Sequence, residues 1–162
     1  MRVALSIAVF LFNVAASAQS VSSRSGIGDT AFDPRLDDPK FQVCNPDNVW
    51  QGYQLKSKQD ETSLMVEEEF RTKYKYNAVW SKDAGLIRIR FIVNCKGVAD
   101  RFRILEADRE LKPTQFNKEL IAHLLAIAKG IQWPQRRAWE QTVDYYHYIS
   151  IRVHDGKIEI VQ

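Results

Sequence analysis

Two cysteines, three histidines and a run of three glutamates are the residues of this chain whose chemistry could build a site. A zinc centre needs three or four ligands that converge. His123, His147 and His154 show neither HxxxH nor HxH spacing, and Cys44 and Cys95 form no CxxC. Glu67, Glu68 and Glu69 are contiguous, so on a helix their carboxylates fan apart instead of pairing for acid and base work. No GxSxG nucleophile elbow occurs. The Gly-rich stretch from Gly26 to Asp29 is too short for a phosphate loop, and no strand precedes it. No catalytic, metal-binding or cofactor-binding residues are therefore expected, and the histidines read as satisfied or exposed side chains.

The cysteines have another use. The chain opens MRVALSIAVFLFNVAASA: Arg2 is a small positive n-region, residues 3–14 are mostly apolar, and Ala16-Ser17-Ala18 fits the small-x-small cleavage rule. The apolar run is shorter than the roughly 20 residues of a membrane span. Cleavage between Ala18 and Gln19 is expected, giving a secreted, periplasmic protein with no stable span afterwards. No cysteine follows the cut, which argues against a lipoprotein. An oxidising compartment favours pairing of the two thiols. A Cys44–Cys95 bridge would constrain the unfolded chain by about 4 kcal/mol in the loop-entropy view. The alternative is two buried thiols acting as small hydrophobes.

The elements that must position these residues follow from pattern. At 162 residues, 45% hydrophobic and 27% charged, the chain suits one globular domain with a modest core. Its net charge of +3 falls to +2 once Arg2 is removed. The basic residues form no long runs, which argues against a nucleic-acid partner. Residues 19–40 are polar and turn-rich and read as a mobile leader. Residues 41–84 read as an extension with one helix over 62–74, where Val66, Phe70 and Tyr74 recur at i, i+4, i+8 and Glu67–Arg71 and Glu69–Lys73 could pair on the wet side.

From Gly85 the pattern is β-β-α-β-β. Ile87, Ile89, Phe91, Val93 and Cys95 share one parity, while Arg88, Arg90 and Asn94 take the other. Gly97 lies in a short turn, and residues 98–107 return with Phe102 and Ile104 inward and Arg101 and Arg103 towards water. A helix over 114–129 carries the stripe Phe116, Leu120, Leu124 and Ile127, with Gly130 as its C′ residue. Trp133, Pro134 and Trp139 mark a loop. A long strand over 143–153 ends at Asp155-Gly156, a strong hairpin signal, and 157–161 forms the last strand. The expected class is α+β: a two-layer antiparallel sheet with a helix on one face and an N-terminal helical extension.

Residues 85–162 resemble the C-terminal domain of the TonB family. The likeness is carried by Gly85, the alternating Ile87, Ile89, Phe91 and Val93, Gly97, Ile104-Leu105, Phe116 and the closing IRVHDGKIEI. It implies a periplasmic setting and binding of short extended segments of envelope proteins. It also implies that the third strand lies at a sheet edge and accepts the partner's strand. Here that places Val143, Tyr145, Tyr146, Tyr148, Ser150 and Arg152 on the partner-binding edge, with the stretch around 143–148 left uncovered by the last strand. The family's uncleaved anchor with its histidine and its Pro-rich spacer have no counterpart here, and its aromatic-x-aromatic-x-Pro ending is altered to GIQWP at 130–134. The expectation is thus a stand-alone, secreted interaction module, monomeric or weakly dimeric and without a role in energy transduction. A structural periplasmic domain is the alternative, and a small hydrolase a remote one.

Overall fold

Alternation over residues 85–93 creates the element on which everything else is assembled. A computed structural model describes residues 30–55 and 59–161. Signal cleavage at Ala18 and Gln19 lies outside the described residues. In chain order the elements are β1 (Trp50–Gln51), α1 (Gln59–Lys73), β2 (Gly85–Val93), β3 (Ala99–Ala107), α2 (Lys118–Lys129), β4 (Arg136–Ala138), β5 (Gln141–Val143), β6 (Tyr145–His154) and β7 (Lys157–Val161). The class is mixed α/β, compatible with α+β. Among the described residues no helix is long and apolar enough to cross a membrane.

β2 is the centre of the sheet. It pairs antiparallel with β3 on one side and with β6 on the other. Ile87, Ile89, Phe91 and Val93 are completely buried, as their parity requires. They share one core with Leu120, Leu124, Ile127 and Ala128 of α2, Val66 and Phe70 of α1, and Ile149, Ile151 and Val153 of β6. The opposite parity is not wholly wet: Ile92 and Asn94 are buried too.

Local chemistry shifts several boundaries. α2 starts four residues later than its apolar stripe suggests. The backbone N–H groups of Phe116 and Asn117 donate to the carboxylates of Glu106 and Asp83, at 2.7 and 3.2 Å. That holds the entry extended, and Asn117 then caps the helix by accepting from the Glu119 N–H. Gly130 ends the helix with φ of −82°, so no left-handed cap is used there. On α1 Arg71 pairs with Glu68 at i, i+3 instead of Glu67, while the Glu69–Lys73 pair forms.

In β3 an extra residue, Arg101, sits at φ 58° where the register slips opposite Phe91. This bulge lets Phe102 stack on Phe91 at 4.8 Å while Asp100 stays on the far face opposite Ile92. Arg103 does not face water as its alternation suggested. It makes a two-point contact with Asp37 at 2.7 and 2.8 Å and donates to the Ala31 carbonyl. The Asp38 N–H adds a bond to Asp100. Residues 30–40, expected as mobile leader, are therefore tied to β3.

Candidate functional site

The strand expected to be an edge partly covered by the last strand is flanked on both sides. β2 runs along one side of β6, with partners for residues 145–153. On the other side β1 pairs parallel with Tyr145 and Tyr146, and β7 pairs antiparallel with residues 150–154. The cover by β7 follows the hairpin signal, and the correction concerns the stretch around 143–148, which β1 partly occupies at Tyr145 and Tyr146. The Asp155-Gly156 hairpin returns β7 locally, whereas β1 reaches β6 from the distant segment before α1. Asp155 and Gly156 both take positive φ, as a two-residue hairpin requires.

The six residues expected on that edge scatter. Val143 belongs to β5 and pairs with Arg136. Tyr145 is fully buried, its hydroxyl donating to the Pro134 carbonyl at 2.8 Å. Tyr146 is half-buried against β1, and Ser150 is buried opposite Val161. Arg152 is exposed and bonded to Glu159 across the hairpin. Only Tyr148, about half exposed, stands at a place the flanking strands leave open.

Among the described residues, no strand lies opposite His147, Tyr148 or Ile149 on this outer side. The Trp50 N–H donates to the Asp144 carbonyl across that edge, at 2.9 Å. Outward backbone groups recur every second residue, so Tyr148 turns its N–H and C=O into the gap. The gap opens into a cleft of about 70 Å³ bordered by Gly52, Thr62, Val66, Arg136, His147 and Tyr148. That volume holds a few water-sized groups. It is far below the several hundred Å³ of a pocket for a cofactor or drug-sized ligand.

Arg136 forms the cleft's buried wall. β4 carries it inward, and it is 5% exposed. Its guanidinium donates to the Gly52 carbonyl at 2.6 Å and to the Thr62 hydroxyl at 3.4 Å, and lies 4.9 Å above the Tyr145 ring. Glycine at position 52 lets its segment lie close against β6. A Cβ there would meet the Tyr146 carbonyl at 2.8 Å and His147 Nδ1 at 3.2 Å. Burial pushes the Tyr145 hydroxyl up to about 12 although Arg136 pulls the other way, so it stays neutral. Burial, with Arg136 adding, pushes His147 down to about 3, so it is neutral as well. Neither neighbour can serve as the arginine's counter-ion.

The hairpin β4–β5 escaped the sequence reading. Its turn residues Trp139 and Glu140 take φ of 51° and 72° without a glycine or asparagine to announce it, and the Arg137 guanidinium secures the turn by donating to the Glu140 carbonyl. The same hairpin buries Arg136 at its base and leaves Trp139 almost wholly exposed at its tip.

The cysteines are joined to each other, Cys44 to Cys95. Beside them lies the buried carboxylate of Asp144. It accepts the backbone N–H groups of Cys44 (3.0 Å), Asn45 (2.6 Å) and Cys95 (2.9 Å). Among the described residues, Cys44, Cys95 and Asp144 are the one group with the spacing of metal ligands. With the sulfurs bonded together and the carboxylate taken up by three N–H groups, the arrangement is a structural clasp. The histidines stand in separate settings. His123 accepts the Lys75 N–H between the two helices, His147 lines the cleft, and His154 lies against Asp155 on the surface. Compared with known proteins, the chain matches no family model, no curated protein and no solved structure.

Proposed function

We propose that this is an exported, periplasmic interaction module with a two-layer arrangement resembling the TonB C-terminal domain, which takes an extended segment of an envelope protein by strand pairing at the interrupted edge of β6. The observation that carries the reading is the gap opposite His147, Tyr148 and Ile149, where among the described residues β6 has one strand neighbour instead of two. An unpaired stretch of strand is a template for another chain, and adding a peptide there satisfies backbone groups that nothing else in the ladder takes up. The end of the sheet formed by β3 is the poorer template. It is bulged at Arg101, lined with arginine and crossed by residues 30–38. The exposed Trp139 adds a rigid aromatic surface of the kind that anchors partners. Its hairpin also holds Arg136 at the cleft.

Titration with extended heptapeptides of alternating valine and threonine tests this, followed by amide hydrogen exchange. The Tyr148 amide should exchange at least tenfold more slowly in the bound state, with β3 amides unchanged. Protection confined to β3, or the absence of any protection across the series, would defeat the reading.

A further inference from the structure

We infer that the β6 cleft is built to receive a carboxylate, and that the segment it recognises is an extended peptide carrying an acidic side chain beside its pairing residues. This rests on the strand-pairing reading above and names the chemistry of its ligand. A guanidinium has five N–H donors. Arg136 has two placed, on Gly52 and Thr62, and its Nε–H is buried with no acceptor. Among the described residues no carboxylate lies within ion-pair distance of it. A buried cation without a counter-ion is costly, and here the Tyr145 ring, the Gly52 carbonyl and the Thr62 hydroxyl offset only part of that cost.

Two further arginines lie beside Tyr148 on the opposite face of the sheet, outside the cleft. Arg88 lies 5.2 Å over the Tyr148 ring. Arg90, directly opposite Tyr148 in the register, keeps a buried Nη without an acceptor. Positive charge therefore meets the open stretch of β6 from the cleft and from the sheet face. The cleft volume fits a carboxylate and its adjoining carbon, and little more. Guanidinium and carboxylate match in shape through paired N–H···O bonds, which an amide or a hydroxyl does not reproduce.

The source of the carboxylate is a side chain or a chain terminus, and the peptides used separate the two. Four valine-threonine heptapeptides are compared on the full chain: one with a central aspartate and an amidated end, its asparagine counterpart, one without aspartate but with a free C-terminal carboxylate, and the same peptide amidated. The aspartate peptide should bind at least tenfold tighter than the asparagine peptide, a difference of about 1.4 kcal/mol at 25 °C. Arg136→Gln should erase that ratio, and Arg136→Lys, which keeps a charge but loses the fork, should keep part of it. A second arm titrates acetate alone against the Arg136 Nε–H resonance, which should shift in a saturable way.

Equal binding of the aspartate and asparagine peptides, with Tyr148 still protected, overturns the carboxylate site and leaves strand pairing standing. A saturable acetate shift with no peptide bound supports the carboxylate site and removes the strand-pairing reading. Preference for the free terminus over aspartate overturns the side-chain assignment. An unmoved Nε–H resonance together with an unchanged ratio in Arg136→Gln overturns the whole inference. Should Arg136→Gln not fold, Arg136→Lys and the acetate arm decide.

Discussion

His147 stands edge-on to Phe91 at 5.6 Å and to Trp133 at 5.1 Å, an aromatic setting that admits the neutral ring and resists the charged one. Unfolded, a histidine titrates near 6.5, and here burial pushes it down to about 3. Between those values the unfolded chain binds a proton that the folded chain does not, so stability falls as pH falls through that window. From pH 7 to pH 5 the loss assignable to His147 should be about 1–2 kcal/mol. His147→Phe keeps the aromatic packing and removes the titration. Urea unfolding at pH 7, 6 and 5 should give a visibly flatter profile for the variant, and parallel profiles would dismiss the argument. Arg136 belongs to the same neighbourhood and adds to the depression of His147. A carboxylate bound at Arg136 should therefore partly relieve it.

At the scale of elements, the ends of the sheet are managed by different devices. β3 is covered by residues 30–40 through the Asp37–Arg103 pair, in which the Asp37 carboxylate is almost fully buried. The hydrogen bonds from Arg103 hold the Asp37 carboxyl below its ordinary value. The support given by that depressed value is present above the ordinary carboxylate range near 4. It is lost as pH falls through the lower folded value. Arg103→Ala should loosen residues 30–40 without unfolding the sheet, because β3 keeps its ladder to β2 and its packing under α2. The expected outcome is at least a fivefold faster amide exchange over 30–40 with unchanged exchange in β2. Simultaneous acceleration in both would mean that the cover is part of the cooperative core. β6 is instead bordered by its own hairpin partner β7 and by β1 from a distant part of the chain. Among the described residues, its gap is the interval between β7, paired as far as Val161, and the parallel strand β1, paired as far as Gln51.

For the whole molecule, the joining of the segment before α1 to the sheet is the decisive assembly step. Three covalent and polar devices converge there: the Cys44–Cys95 bond, the Asp144 carboxylate with its three N–H donors, and the Trp50 N–H on the Asp144 carbonyl. Reduction should lower unfolding stability by about 4 kcal/mol in the loop-entropy model. Asp144→Ala, which strands several donors at once, should cost about 3 kcal/mol. Both act on the same junction, so Asp144→Ala examined under reduction should fall short of the sum. Full additivity in urea unfolding would show that the bond and the carboxylate stabilise separate parts. Loss of this junction would also remove β1 and with it one border of the cleft, so reduction should weaken peptide binding at Tyr148.

What the sequence determined by itself is whatever a short-range period or turn can encode. The parity of Ile87, Ile89, Phe91 and Val93, the stripe Leu120, Leu124 and Ile127, and the Asp155-Gly156 hairpin all follow from neighbours a few residues apart, because pleat and helix repeat over that distance. The Cys44–Cys95 pair was legible as well, from a count of two in a chain whose opening reads as an export signal. The site was not. Arg136 lies in a stretch with no strand period, its hairpin turns on residues that seldom take positive φ, and an arginine in isolation reads as solvated. Only the tertiary structure sets Gly52, Arg136 and Tyr148 around one cleft, since they come from three segments: β1 brings Gly52 to β6, and the separate β4–β5 hairpin brings Arg136. Only the tertiary structure decides, too, that β1 borders β6 beside the cover that the hairpin signal already announced. The gap between them depends on where two independent strands stop, and no local pattern in β6 records where its neighbours end.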